Sequence, residues 1–70
     1  MKAEEIRALS TDEIELRLDE AREELMNLRF QQATGELVDF TRIPYTRRII
    51  ARCLTILNER KMETSLEGEL

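Results

Sequence analysis

The arginines in the second half of the chain are the side chains best suited to bind another molecule. Residues 37–60 hold five basic residues, all of them arginine, against two acidic ones. A guanidinium group can donate two parallel hydrogen bonds to one phosphate, and it stacks on aromatic rings and bases. Arg48 and Arg52 stand one helical turn apart, beside Tyr45 and Ile49. Arginine next to an aromatic on an exposed helix face is typical of a nucleic-acid contact surface.

The arginines also have a plainer interpretation, as a solvated face whose ion pairs reach an acidic neighbouring helix. Residues 1–36 hold five basic and ten acidic groups, so partners for such pairs are present. Exposed pairs of this kind contribute little to stability. Residue patterns alone favour this interpretation, and the net charge of −4 weighs against a chain whose whole task is binding nucleic acid.

Composition excludes several classes of site. A chain of 70 residues with no His and one Cys has no ligand set for a usual zinc site and no internal disulfide. We interpret Cys53 as a small residue beside the core. The acidic start differs from a signal peptide, and no run approaches the roughly 20 apolar residues of a membrane span. We therefore expect a cytoplasmic protein with no catalytic residue, no metal site and no cofactor.

A small enzyme is another function class that the composition brings to mind. A small all-helical enzyme of the chorismate mutase kind would share the helix-rich, arginine-bearing composition. Such an enzyme needs a third helix and a cavity with convergent Arg, Lys and Glu, and 70 residues leave no chain to build them.

Two long helices are predicted to position the arginines. Ser10 followed by Glu13 forms a capping box, which predicts a helix start. No Pro or Gly interrupts residues 11–34, so the first helix covers about 11–34 and is about 36 Å long. Gly35 follows where a helix C-terminus favours a residue at positive φ.

The second helix is predicted over about 42–61. Thr41 is the expected N-cap, because it leaves Pro44 in the first turn, where its missing N–H costs nothing. The two apolar stripes that should face each other are Ile14, Leu18, Ala21, Leu25 and Leu28 on the first helix, and Ile43, Ile50, Leu54 and Leu57, flanked by Cys53, on the second.

The predicted fold is all-α: an antiparallel hairpin of two long helices with a short N-terminal helical turn. Residues 1–61 form the helical hairpin domain. Residues 62–70 have no apolar periodicity and are predicted to be an acidic, disordered tail.

Several large apolar side chains fall off these stripes: Met26, Phe30, Tyr45, Ile49 and Ile56. A two-helix hairpin has no third layer to cover them, so we expect a partner. Met26 and Phe30 could instead pack under the N-terminal turn. An alternative function follows, a helical-hairpin adaptor that binds another protein through Met26, Phe30 and Ile49.

The chain resembles the bacterial form of large-subunit ribosomal protein twenty-nine. The resemblance is carried by the run LMNLRFQQATGEL, residues 25–37, and the run RRIIARCLTIL, residues 47–57, with a similar start, MKAEEIR. It covers about residues 1–60. Pro44 and Tyr45 depart from the pattern, since the family usually has basic or small polar residues there.

The resemblance implies a structural constituent of the large ribosomal subunit, located on the cytoplasmic ribosome. Such a protein binds large-subunit ribosomal RNA near the polypeptide exit tunnel and has no cofactor. Its implied neighbours are ribosomal protein twenty-three and nascent-chain factors such as trigger factor. The family pattern and the unpartnered side chains together predict eight RNA-binding residues: Arg29, Phe30, Gln31, Arg42, Tyr45, Arg47, Arg48 and Arg52.

Overall fold

The computed structural model describes the backbone of residues 1–69 and the side chains of residues 1–64. Within this range the chain forms three helices and no strand: α1 is Ala3–Arg7, α2 is Thr11–Thr34 and α3 is Arg42–Glu69. α2 and α3 pack against each other, and α1 packs on α3. The rod measures 54 × 19 × 16 Å. The predicted all-α hairpin with a short N-terminal helix is confirmed.

Local signals set both ends of α2. The Ser10 hydroxyl oxygen accepts a hydrogen bond from the Glu13 N–H at 3.2 Å and donates to the Glu13 carboxylate at 3.1 Å. At the other end Gly35 has φ +78°. The Glu36 N–H there donates to the Gln31 carbonyl oxygen at 2.8 Å, as in a Schellman motif. Both predicted ends of α2 are confirmed.

The start of α3 is fixed by a turn around Asp39. Its carboxylate accepts hydrogen bonds from the Thr41 N–H at 3.0 Å and from the Thr41 hydroxyl at 2.5 Å. These hydrogen bonds hold the pKa of Asp39 below its ordinary value. The Thr41 carbonyl oxygen accepts the first helical hydrogen bond, from the Tyr45 N–H at 3.2 Å. Thr41 is therefore the N-cap, as predicted, and Pro44 lies in the first turn.

The end of α3 differs from the prediction. The helix was predicted to stop at Lys61, whereas α3 continues to Glu69. Once a helix exists, each further residue adds a hydrogen bond, and no Pro or Gly stops residues 62–67. The Thr64 hydroxyl also donates to the Arg60 carbonyl oxygen at 3.0 Å. Leu70 lies outside the described residues, and the separate tail domain stays a prediction.

The core forms where the three helices meet. Its buried cluster consists of Ile6, Ile14, Leu18, Cys53 and Ile56, against which Met1, Ala3, Leu9, Ile49, Ile50 and Leu57 pack. The predicted α2 stripe is confirmed, since four of its five residues are buried and Leu25 is half-buried.

The face that α3 buries agrees only in part with the predicted one, since Cys53, Ile50 and Leu57 contribute to the core as predicted. Leu54 is 43% exposed, whereas Ile56, which we expected an outside partner to cover, is 2% exposed. The buried face of α3 extends further around the helix than predicted, because Ile6 of α1 packs into the same core as Ile56. Ile49 packs against the same core. Thr46 is fully buried, and its hydroxyl donates to the Arg42 carbonyl oxygen at 2.8 Å.

Arg60, on α3, forms hydrogen bonds that hold α1 against α3. Its guanidinium donates to the carbonyl oxygens of Arg7 at 3.1 Å and Leu9 at 2.8 Å, and to the Thr11 hydroxyl at 3.1 Å. An exposed ion pair between Arg7 and Glu59, at 3.6 Å, lies alongside. A helix of five residues is too short to be stable alone, so these hydrogen bonds and the apolar contacts of Ile6 hold it in place.

Candidate nucleic-acid interface

The eight predicted contact residues all lie in the half of the hairpin that contains the interhelical loop. Residues 29–31 belong to the last turns of α2, and residues 42–52 form the first three turns of α3. At a rise of 1.5 Å per residue, Arg52 lies only about 15 Å along α3 from Arg42, in a molecule 54 Å long. The hairpin thus brings the two sequence segments to one end.

Three of the predicted arginines are exposed and unengaged. Arg29, Arg47 and Arg48 form no ion pair or side-chain hydrogen bond with any other residue whose side chain the structure describes. Arg47 and Arg48 diverge by about 100° around α3, so they face different directions. These three guanidinium groups keep all their donors for a ligand.

Arg42 makes the ion pair that the plainer interpretation expects. Its guanidinium contacts the Glu24 carboxylate and so joins α3 to α2. The guanidinium carbon also lies 5.5 Å from the centroid of the Tyr45 ring, within the range of a cation–π contact. The charge of Arg42 is therefore partly used inside the hairpin.

Arg52 is tied to the N-terminal segment. Its Nη1 donates to the Met1 carbonyl oxygen at 2.5 Å, and the Met1 amino group donates to the Tyr45 hydroxyl at 3.4 Å. Arg52 is still exposed, and Tyr45 is 43% exposed. The N-terminal residues thus border the interface and fix the position of Arg52.

The end of α2 contributes the half-buried Gln31 and the exposed ring of Phe30. Gln31 is half-buried, and its carbonyl oxygen accepts hydrogen bonds from the Glu36 N–H and, at 3.1 Å, from the Leu37 N–H. Gln31 therefore shapes the loop with its backbone. Phe30 is 69% exposed and Met26 70% exposed, so neither packs under α1.

Two loop residues were missed by sequence reasoning. Val38 is 92% exposed and Phe40 64% exposed, while Leu37 between α2 and these residues is buried. Residues 37–40 lie between the two predicted helices, and none of them was among the eight predicted contact residues. The available signal was two large apolar side chains in a connection where polar residues dominate.

The remaining chemistry of the described residues is sparse. Burial raises the pKa of the Cys53 thiol, and a buried protonated thiol is unreactive. Within the described part of the chain, no three His, Cys, Asp or Glu side chains are grouped to hold a metal ion. No helix in that part is long and apolar enough to cross a membrane.

Similarity to known proteins agrees with this geometry. Residues 4–60 match the family model described as "Ribosomal L29 protein". A "Large ribosomal subunit protein uL29" from Lactobacillus delbrueckii subsp. bulgaricus is 52% identical over 63 residues, covering 90% of this chain and 97% of the relative. Relatives of the same name from Staphylococcus aureus and Staphylococcus carnosus are 52% identical over 65 residues, 93% of this chain and 94% of each relative. The chain therefore belongs to this ribosomal protein family, whose members are structural, non-enzymatic proteins of the large ribosomal subunit.

Proposed function

We propose that this chain binds large-subunit ribosomal RNA, near the polypeptide exit tunnel, through the arginine-bearing loop half of its hairpin. One observation carries the proposal: Arg29, Arg47 and Arg48 are exposed in the loop half of the hairpin and form no ion pair with another described residue. Membership of a ribosomal protein family supports RNA as the ligand. RNA also supplies the phosphates that such arginines bind.

The contacts divide by side-chain chemistry. Arg29, Arg47 and Arg48 bind phosphates with all their donors, and Arg52 binds with the donors that Met1 leaves over. Arg42 contributes less, since Glu24 partly neutralises it. The less polar members of the predicted set, which are Phe30, Gln31 and Tyr45, lie against sugar and base surfaces. Phosphate contacts position the hairpin, and few base edges are read.

The uneven charge of the rod reconciles RNA binding with an acidic chain. Residues 42–52 hold four arginines and no acidic residue, whereas residues 11–24 hold seven acidic residues. RNA responds to the local field, so the basic end faces it and the acidic half of α2 points away. That acidic half is the surface we propose for protein neighbours, with ribosomal protein twenty-three and nascent-chain factors such as trigger factor as candidates.

An adaptor function is the second candidate, because Met26 and Phe30 are both highly exposed. Its predicted surface also needs Ile49, which packs against the core instead. An apolar protein interface would make association insensitive to salt and give a negative heat-capacity change. RNA binding through arginines weakens as salt rises, so measuring affinity at increasing salt concentration distinguishes the two candidate functions.

The test compares two charge-matched double variants binding deproteinised large-subunit RNA at rising salt. Arg47→Ala with Arg48→Ala removes two proposed phosphate contacts, so the slope of log K against log salt should fall by roughly two units. Arg17→Ala with Arg22→Ala removes the same charge from the acidic half and should leave the slope nearly unchanged. Equal slopes for the first variant and the unmodified chain would reject the proposed contacts.

A further inference from the structure

The aromatic residues of this chain all lie outside its core. The chain has one Tyr and two Phe. Phe30 is 69%, Phe40 64% and Tyr45 43% exposed, and the buried cluster contains only aliphatic side chains and Cys53. Aromatic rings are the side chains that gain most from burial. The exposure of all three rings indicates that another molecule covers them.

The three rings share one end of the rod with most of the uncovered apolar surface. Phe30 lies in the last two turns of α2, Phe40 lies in the loop and Tyr45 lies in the first turn of α3. Met26 and Val38, 70% and 92% exposed, lie at the same end. An exposed apolar patch of this kind marks an interaction site. We call Phe30, Val38, Phe40 and Tyr45 the tip.

Charge identifies the partner of the tip. Residues 25–50 hold four arginines and two acidic residues. One of these acids, Asp39, has its carboxylate occupied by two hydrogen bonds from Thr41. The segment that carries the aromatic rings thus has an excess of positive charge, and Arg42 lies 5.5 Å from the Tyr45 ring. This combination complements a polyanion that also offers flat apolar faces. Nucleic-acid bases on a phosphate backbone meet both requirements.

We propose that the tip binds unpaired nucleotides of the ribosomal RNA by stacking their bases on Phe40 and its neighbouring rings. This inference rests on the proposed RNA binding and deepens it by naming the class of RNA. A base-paired A-form helix presents phosphates, 2′-hydroxyls and base edges, whereas loops and bulges present free base faces. If the RNA contacted only the arginines through its phosphates, the tip would stay exposed to water. Unstacked bases would cover the tip while their phosphates bind the arginines.

The tip is held ready for such a ligand. Phe40 lies between Asp39 and Thr41, whose side chains and backbones are joined by hydrogen bonds of 3.0 and 2.5 Å. The Arg42 N–H donates to the Asp39 carbonyl oxygen at 3.3 Å. On the other side of the loop, the positive φ of Gly35 fixes the return of the chain. A preorganised loop loses little conformational entropy on binding.

Site-specific photocrosslinking in assembled large subunits identifies what the tip touches. Phe40 is replaced by its benzophenone-bearing analogue in one strain, and exposed Leu16, on the acidic half of α2, is replaced in a control strain. After irradiation, we expect the label at position 40 to attach to ribosomal RNA at a nucleotide that is unpaired. The label at position 16 should not reach that nucleotide. Attachment at position 40 to a protein, to a base-paired nucleotide or to nothing would overturn the inference.

A binding measurement then separates this inference from the proposed function. Phe40→Ser should weaken binding to deproteinised large-subunit RNA roughly tenfold without changing the salt slope, since stacking involves no counterion release. It should also raise the chemical reactivity of the crosslinked base. Unchanged affinity for Phe40→Ser, with a lowered slope for the Arg47 and Arg48 variant, would refute stacking and leave RNA binding intact. Unchanged behaviour in both would refute both. Helix content by circular dichroism should match the unmodified chain, because Phe40 is outside the core.

Discussion

The arginines of this chain divide by what their guanidinium groups contact. Arg29, Arg47 and Arg48 form no ion pair or side-chain hydrogen bond with another described residue, whereas Arg42 pairs with Glu24. Arg52 and Arg60 donate to backbone oxygens of the N-terminal segment. One residue type thus serves helix pairing and docking of α1 and, in our proposal, RNA binding. Replacing Arg29, Arg47 or Arg48 should therefore change electrostatic interactions alone, without breaking an ion pair or side-chain hydrogen bond within the fold.

Gly35→Ala tests whether the turn between the helices needs a left-handed residue. Gly35 has φ +78°, and an added Cβ would meet no atom within 4 Å, so strain in the backbone is the only penalty. We expect the free energy of unfolding to fall by about 1–2 kcal/mol, measured by urea denaturation of the purified chain. Gly35→Asn should lose less, because Asn tolerates this conformation better. A loss-free Gly35→Ala would contradict the assigned cap.

Cys53 predicts how stability responds to alkaline pH. Burial raises the pKa of its thiol above the ordinary 9.0, so the folded chain keeps a proton that the unfolded chain releases. The stability that this group contributes is complete below about pH 9 and falls as the pH rises further. The urea midpoint should therefore drop as the pH rises above about 9. Cys53→Val, which cannot titrate, should show a smaller drop over the same range. Parallel curves for the two proteins would rule out a buried thiol.

At the scale of elements, α2 could be predicted from sequence, whereas the buried face of α3 could be predicted only in part. The signals for α2 are local: the Ser10 and Glu13 capping box, an uninterrupted apolar stripe and Gly35. The face of α3 depends on α1, whose docking relies on Arg60 hydrogen bonds to residues about 50 positions away. A five-residue helix has too few residues to show a pattern. As a result Ile56 is buried, whereas Leu54 is 43% exposed.

The residue types of the candidate interface could be predicted from the sequence. The contacts that these residues make within the fold could not. An arginine-rich start of the second helix is visible in the sequence, and the hairpin brings it to the end of α2. The partners of Arg42 and Arg52, which are Glu24 and Met1, follow only from tertiary packing. The exposed loop residue Phe40 was overlooked because turns were treated as connections.

Arg60→Met tests whether one side chain docks α1. The variant keeps much of the aliphatic stem but loses hydrogen bonds to Arg7, Leu9 and Thr11. Amide hydrogen exchange in α1 should accelerate on the order of tenfold, with much smaller change in α2. Lys61→Met removes the adjacent exposed charge and should leave α1 protected. Equal protection of α1 in both variants would mean that apolar contacts alone hold it.

The whole molecule is a rod, 54 Å long, with chemically different ends. Its loop end has exposed arginines and aromatic rings, and the opposite half of α2 is acidic. Such a shape suits a protein that is held by RNA at one end and faces other molecules at the other. The small aliphatic core provides limited stability by itself, so binding to the ribosome should stabilise the fold as well.

Sedimentation of a cell lysate through sucrose gradients, first in low and then in high salt, tests the central claim most directly. We expect the unmodified chain to migrate with the large subunit and to leave it only in strong salt. The chain with Arg47→Ala and Arg48→Ala should dissociate at distinctly lower salt, because fewer phosphate contacts hold it. A chain that stays at the top of the gradient in low salt would contradict ribosomal binding, and identical salt profiles for the two proteins would contradict the arginine interface.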